Sequence, residues 1–579
     1  MARRKRPSRE KKASNLASLP PELLDAITSY LPASALYNVS LASKALATYI
    51  STYAWKALAQ SRFPSTCPST STSWPGTART LCTLSKAWDR RAIVARVIEP
   101  KEGGILVWPA GKREEKWRKP RGQTIGFTPV IDVKEVERQG ATREETLVWS
   151  AGAQVVVRKR LWKEDEGRGR AEKVAWECYA PAGASEGRDD VTALHLLDSQ
   201  GGQDSRVRCI AGTAAGKLEE VNLPGKVGAT VEKRSFVTDG ESVRSSSLLQ
   251  STTGSSLLAA QLGDTSIRLY AFGDSQATIT ANSKIDINAG HTASAKQQPR
   301  AWSVRFLSDT HLAVGTGPST HPISVYELLP TGVSTTHVRH FTVVDTFERL
   351  ASPPASSKTL NSVYPIIPLP ATTTASHPSL FLSGAYDGWV RMHDLRSSHD
   401  VVRSYIDPTD DSGIYSLLAR GQESVIVGAN SQSRLKIFDL RMGMKGYHYL
   451  DGQVEEQSTE ITSDHALFLR VLDHRKDSAV YNLASASPSC PHVYAGISAR
   501  VLELAITEAW HPKPDPVYFE KFRGGKTWNG WRAGEVLELA GYEIESQARQ
   551  RLMVQSGLHG RPASAGMSIG GLDERWWVK

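Results

Sequence analysis

Apolar residues recur along this chain with two different periods, and the change of period divides it. From Leu16 to Phe63 the spacing is helical. Leu23, Leu24, Ile27, Tyr30 and Leu31 fall at i, i+1, i+4, i+7 and i+8, one face of a helix. Pro20 and Pro21 sit where a first turn tolerates proline, Glu22 complements the positive helix end, and Pro32 stops the run. Ser34 is placed to cap a second helix carrying Leu36 and Val39. Leu41, Ala42, Leu46 and Ile50 then continue the helical spacing toward Trp55 and Leu58. Ser65 to Thr77 is rich in Ser, Thr and Pro and reads as a linker, which is expected to extend over residues 65–91.

From about Ala92 to Leu504 the pattern becomes that of strands, with short β-branched and aromatic runs separated by Gly, Ser, Asp and Pro. The clearest unit is Leu380 to Arg396, two strands joined by an Asp387-Gly388 turn. The same form recurs in Thr146–Trp162, Val207–Leu223, Leu257–Phe272, His311–Leu328, Ser424–Arg441 and His492–Ile506. Aligned on Gly152, Gly212, Ala260, Gly315, Gly384, Gly428 and Gly496, these seven copies have a mean period of about 57 residues. Further strand candidates lie upstream, at Val191–Leu197, Ala301–Leu307 and Gly413–Ala419. Four-stranded units repeated radially form a β-propeller, which closes on itself and so protects its sheet edges. The expected organisation is a basic tail (1–14), a short all-α module (15–64), the linker (65–91), an all-β propeller of seven blades (92–508) and a C-terminal extension (509–579). In the extension, Gly534 to Gly557 has partial helical character, and Trp576-Trp577 is expected to pack on the propeller.

Composition adds limits. With 40% hydrophobic and 22% charged residues over 579 positions, the chain resembles an ordinary soluble protein, and no apolar run approaches the length that spans a bilayer. The basic N-terminus is followed by no apolar stretch, so it does not read as a secretory signal. Five scattered cysteines with no CxxC spacing indicate neither a disulfide framework nor a zinc site. The net charge of +10 is uneven: residues 1–12 carry seven basic side chains against Glu10, leaving only +4 for all the rest. Arg3, Arg4, Lys5, Arg6, Lys11 and Lys12 are therefore a nuclear-import candidate, and a nucleic-acid-binding face is disfavoured. Lys112 to Arg121, with Trp117 among basic residues, is the one segment that could stack on single-stranded nucleic acid; Glu114 and Glu115 dilute its charge.

Two resemblances follow from these residues. The N-terminal segment resembles an F-box, the module that docks the Skp adaptor of cullin–RING ubiquitin ligases, at Leu19-Pro20, Glu22-Leu23-Leu24, Ile27, Leu31-Pro32, Leu36, Leu41, Ser43, Leu46, Ile50 and Trp55. The β region is similar to WD-repeat propellers. Gly384, Asp387 and Asp394-Leu395 match that repeat's small residue, turn aspartate and final dipeptide, His393 stands at the tryptophan position, and Phe438-Asp439 ends the next copy. Together they imply a substrate receptor of an SCF-type ligase: Leu19, Pro20, Leu23, Leu24, Ile27, Leu31, Pro32, Leu36, Leu41, Leu46, Ile50 and Trp55 would bind the adaptor, and through it a cullin, while the propeller recruits an unknown target protein. The resemblance implies no cofactor, and a location in the nucleus, the cytoplasm or both. The alternative is a non-catalytic propeller scaffold in nuclear or ribonucleoprotein assembly.

No constellation for catalysis is present: the chain has no P-loop, GxSxG, HExxH or helix-opening GxGxxG. Gly315-Thr316-Gly317 is explained by a strand end, Asp387 and Asp264 by turns of their own blades, and His393 by a hydrogen-bonded core position. Propellers of ubiquitin-ligase receptors can use arginines to grip phosphorylated targets, since guanidinium forks suit phosphate; the sequence assigns none.

Overall fold

The computed structural model describes residues 16, 19–68, 71, 73–89, 93–100, 104–120, 126–138, 142–163, 171–198, 206–250, 255–273, 276–289, 298–343, 360–369, 379–407, 410–421, 423–440, 466–471, 478–506, 537–544 and 550–556. Its N-terminal part is helical: α1 (Pro21–Ser29), α2 (Ala33–Ala42), α3 (Lys44–Tyr49), a π-helical turn (Ile50–Ala54), α4 (Trp55–Arg62) and α5 (Trp74–Asp89). Pro20 precedes α1, whose first residue is Pro21, with Glu22 in the first turn. Ser34 is not a cap, because α2 starts one residue earlier, directly after Pro32. The capping serine is Ser43, whose side chain accepts from the Leu46 N–H at 3.2 Å to start α3.

Helix α5 lies in the stretch read as linker. Ser73 opens it, its hydroxyl accepting from the Gly76 N–H at 3.3 Å, and Trp74, Ala78 and Leu81 recur at helical spacing. Ala78 and Leu81 join Leu36, Ile50, Ala54, Leu58 and Ala59 in the helical core. The Ser/Thr-rich composition concealed an apolar stripe that tertiary packing makes helical. One turn further on, Leu84 packs with Val493, Leu502 and Leu504 of the propeller. A second link is the Ser65 hydroxyl, which donates to the Glu423 carboxylate at 3.4 Å.

Among the described residues the remainder forms seven sheets, the blades, antiparallel except where Ile105–Trp108 joins the outer edge of blade 1 and Thr278–Ile279 that of blade 2, both in parallel. Taken from the inner strand outward, blade 1 is Ile131–Arg138, Thr142–Ala151, Gln154–Lys163 and Ala171–Tyr179; blade 2 is Val191–Leu196, Val207–Thr213, Leu218–Leu223 and Glu232–Phe236. Blade 3 is Val243–Leu249, Ser256–Leu262, Ser266–Phe272 and Ser283–Asp286; blade 4 is Arg300–Phe306, His311–Gly317, Ile323–Leu329 and Gly332–Phe341. Blade 5 is Val363–Pro368, Leu380–Ala385, Val390–Asp394 and Arg403–Tyr405; blade 6 is Ile414–Arg420, Ser424–Ala429, Arg434–Asp439 and Ala466–Val471. Blade 7 is Asn482–Ala484, His492–Ile497 and Arg500–Ile506, completed by Ile93–Ile98 from the start of the β region. Each of the seven hydrophobic repeats is the second-to-third-strand hairpin of one blade. The inner strands neighbour one another in sequence order, and blade 7 neighbours blade 1, so the ring closes. The C-terminal extension is not helical where it is described: Leu537–Ile544 and Gln550–Ser556 are strands added outside Ala466–Val471 on blade 6. The β-branched and aliphatic residues there find a free strand edge, which overrides the partial helical period. Trp576 and Trp577 lie outside the described residues.

The recurrent small residue has a packing cause. A Cβ on Gly428 would lie 2.8 Å from both the Cβ and the carbonyl oxygen of Val480; one on Gly384 would lie 2.5 Å from the Ile414 methyl, and one on Gly212 2.6 Å from the Val243 methyl. Gly315 meets Val363 and Gly496 meets Pro129 and Ile131 in the same way. In each case the start of the next blade's inner strand stands in the way, joined at Gly428 and Gly315 by the Ser416 and Ser303 hydroxyls of the glycine's own blade, so the small residue helps set how closely successive blades approach. Blades 1 and 3 depart: Gly152 sits in the hairpin turn itself, at φ +58°, and blade 3 has Gln261, not Ala260, in register with the glycines. Between each pair of neighbouring blades lies one buried apolar cluster, seven in all.

The join between blades 1 and 7 also holds a buried ion cluster. The Arg158 guanidinium reaches Glu145 at 2.8 Å and Glu503 at 3.4 Å; that of Arg160 reaches the same two carboxylates at 3.1 and 2.6 Å. Tyr494 bonds both guanidiniums, at 2.9 and 3.0 Å. Burial alone raises the Glu145 pKa, but Arg160 and Arg158 outweigh it and hold the carboxyl below its ordinary value. His393 is a core residue, as expected: Nδ1 donates to the Asp400 carbonyl at 2.6 Å, Nε2 is 2.8 Å from the Ser383 hydroxyl, and the ring stacks on Phe381.

Two outcomes follow. Gly428→Ala should lower stability by about 1–3 kcal/mol, because the added methyl meets backbone on the next blade; a urea-unfolding midpoint equal to that of the natural chain contradicts this. Burial lowers both His195 and His393 to a pKa of about 4. The unfolded chain protonates these rings near 6.5 while the folded one resists until about 4, so stability is full above about pH 6.5 and falls as pH drops toward 4. Unfolding midpoints measured from pH 7 to pH 4 should decline across that window, and a flat profile contradicts it.

Candidate functional site

Around the helical core, the twelve residues expected to contact an adaptor separate into three groups. Leu24, Leu36, Leu46 and Ile50 are buried. In the chain by itself they lie inside the module, which at this length uses its most regular apolar positions for its own core. Leu19, Leu31 and Trp55 are half-buried, with Leu31 and Trp55 packed against that core. Pro20, Leu23, Ile27, Pro32 and Leu41 are exposed. Leu23 and Ile27 lie one turn apart on α1, 52% and 39% exposed, and Leu41 on α2 is 68% exposed.

Three further aromatics belong to this exposed set and were missed as site residues: Tyr30 (89% exposed), Tyr37 (58%) and Tyr53 (60%). Tyr37 stands one helical turn before Leu41, a signal the sequence carried. The module thus leaves two apolar stripes in water, Leu23–Ile27–Tyr30 on α1 and Tyr37–Leu41 on α2, a density that marks docking surfaces. The scaffold beneath is fixed by polar bonds. The Thr28 hydroxyl donates to the Leu24 carbonyl at 2.8 Å, and the Tyr49 hydroxyl donates to Asp25 in a short bond. Burial and that carboxylate push the Tyr49 phenol up to about 12. Tyr49 also packs against Tyr53, with ring centroids 5.8 Å apart.

The other candidates resolve into structural roles. Asp387 grips the Arg391 guanidinium with both oxygens (3.1 and 2.7 Å) and accepts from Asn361 at 2.7 Å, holding the blade 5 turn. Asp264 pairs with Arg244 at 3.3 Å. Gly315-Thr316-Gly317 ends the second strand of blade 4. The Trp117 indole N–H donates to Gln154 at 3.1 Å and its ring packs at the join of blades 7 and 1, so it is not free to stack on a base. Among the described residues no group of three or more His, Cys, Asp or Glu is arranged to hold a metal ion, and no helix is long and apolar enough to cross a membrane. The nuclear-import candidate, Arg3 to Lys12, lies outside the described residues.

The split between core and surface is testable. Leu36→Ala should destabilise the helices by about 2–5 kcal/mol, while Leu23→Ala should change them by about 0.5 kcal/mol or less. Hydrogen exchange of backbone amides over residues 21–62 measures both, and similar exchange in the two variants contradicts the assignment.

A family model described as F-box-like matches residues 16–61. No curated protein sequence matches the chain. The matched segment begins just before α1 and ends within α4, so it takes in the exposed stripes and most of the core beneath them. Residues 16–61 are an F-box-like domain, and a seven-bladed β-propeller follows it in the same chain.

Proposed function

We propose that this protein is a substrate-receptor subunit of an SCF-type cullin–RING ubiquitin ligase. The helical module docks the Skp adaptor through Leu23, Ile27 and Leu41, and so reaches a cullin, while the propeller holds a target protein. The observation that carries this reading is the exposure of those side chains on a module that already has a core of its own. A lid on the propeller would cover them. The propeller needs no lid, since Ile93–Ile98 closes it internally.

The mechanism is positioning rather than bond chemistry. Holding target lysines near the charged ubiquitin raises their effective concentration, which is where the rate gain arises. Helix α5 and the Ser65–Glu423 contact support this by tying the adaptor-binding end to the propeller. The basic tail fits a nuclear or cytoplasmic protein that uses nuclear import.

Tagged full-length chain should recover the Skp adaptor from extract, and Leu23→Asp with Leu41→Asp should reduce recovery at least about tenfold. Because both residues are exposed, the thermal unfolding of the chain should stay unchanged. Undiminished recovery by the double variant overturns the reading.

A further inference from the structure

Four consecutive blades carry an aromatic residue at the same place on their inner strand. The sequences are Ala301-Trp302-Ser303-Val304 in blade 4, Val363-Tyr364-Pro365-Ile366 in blade 5, Ile414-Tyr415-Ser416-Leu417 in blade 6 and Val480-Tyr481-Asn482-Leu483 in blade 7. The equivalence is structural: Ser303, Ser416 and Asn482, each following its aromatic, pair with the spacing glycines Gly315, Gly428 and Gly496. Blades 2 and 3 place Thr192 and Arg244 there, the latter paired with Asp264 at 3.3 Å, so the aromatic lining is one-sided. Centroids of successive rings are 5.0 Å apart for Trp302 and Tyr364, 5.1 Å for Tyr364 and Tyr415, and 6.2 Å for Tyr415 and Tyr481. Tyr386, from the blade 5 hairpin turn, adds an exposed ring 6.2 Å from Tyr364.

This crescent lies where the inner strands begin, on the face that carries the second-to-third-strand turns. The Ser65–Glu423 link lies at the other end of blade 6's inner strand, so the crescent faces away from the helical module. Its rings are half-buried and inclined to one another by 43° to 63°, each in contact with the next. The Trp302 indole N–H is buried without a partner in the protein, a costly state unless a ligand supplies an acceptor. Burial pushes the Tyr364 and Tyr415 phenols up, so they remain protonated donors at neutral pH.

The neighbouring charges decide what fits. A cationic side chain would compete with Arg300, which already stacks on Trp302 at 4.9 Å. A phosphate needs several unengaged guanidiniums, yet Arg391 is bound to Asp387 and Arg434 to Asp410. What remains is a surface of aromatic faces and hydrogen-bond donors. A polyproline II segment is its complement: its carbonyls have no internal donors, its rings are apolar, and it loses little entropy on docking.

We propose that the Trp302–Tyr364–Tyr415–Tyr481 crescent binds a proline-rich, extended segment of the target protein without requiring phosphorylation. This rests on the reading of the propeller as the substrate-binding part. The probe is fluorescein-labelled decaproline, titrated with the full-length chain by fluorescence anisotropy, beside a Gly/Ser decapeptide and a phosphoserine-containing decapeptide. Decaproline should bind saturably and the other two should not. Trp302→Ala and Tyr364→Ala should weaken binding about tenfold or more, and Tyr415→Phe, which keeps the ring and the fold but removes one donor, should weaken it less. Absence of saturable decaproline binding, equal affinity in the alanine variants, or preference for the phosphopeptide overturns the proposal. Adaptor recovery by the same variants separates the two readings: lost decaproline binding with intact recovery is expected of the variants, whereas a natural chain that recovers the adaptor and ignores decaproline sinks only the crescent. A natural chain that binds decaproline without recovering adaptor sinks only the ligase role.

Discussion

Closure of the ring is the constraint on which the rest depends. Ile93–Ile98, from the start of the β region, pairs along its whole length with Arg500–Ile506 from the end, matching Ile93 with Ile506 and Ile98 with Val501. Without it blade 7 would present an open edge and blade 1 would lose a neighbour. The same join holds the Arg158, Arg160, Glu145 and Glu503 cluster, two guanidiniums against two carboxylates with Tyr494 between them. A buried set of this kind adds little net stability against an apolar substitute, but removing one member strands the others, so it specifies the closing partner. We regard that specificity as its role at a junction formed between residues some four hundred positions apart.

Because closure is internal, the apolar surface of the propeller is used up blade against blade, one cluster per interface. The small residues on the second strands keep those interfaces close. From the helices only Leu84 of α5 enters this scheme, in the cluster between blades 6 and 7; the other six clusters contain no helical residue. The module in turn is held by Leu36, Ile50, Leu58 and Leu81 and leaves Leu23, Ile27 and Leu41 outside. Two bodies that each satisfy their own cores, linked by α5, place one apolar face at one end and an aromatic crescent on the opposite face of the propeller.

Much of this was legible in the sequence because repetition amplifies weak signals. No single hairpin other than Leu380–Arg396 is strong, but seven of them with a shared small residue predict seven blades. What escaped were features that depend on packing. Helix α5 was masked by Ser and Thr, which score poorly in helices until Ala78 and Leu81 find the core of the module. The strands at Leu537–Ile544 and Gln550–Ser556 fall in a stretch of partly helical period, and the edge they complete is invisible in one dimension. In the helical module, periodicity finds apolar positions but does not say which point inward; Leu24 and Leu23 are adjacent and part company only in three dimensions. The aromatic crescent was written plainly at Trp302, Tyr364, Tyr415 and Tyr481, yet it emerges as a set only once strand register aligns the four blades.

In the proposed role the helical module meets the adaptor while the propeller stays whole and unoccupied by it. Hydrogen–deuterium exchange of the full-length chain, with and without the Skp adaptor, tests this most directly. New protection is expected in α1 and α2, around Leu23, Ile27 and Leu41, with unchanged exchange in the strands of all seven blades. Unaltered helices, or protection falling on the blades instead, would contradict it.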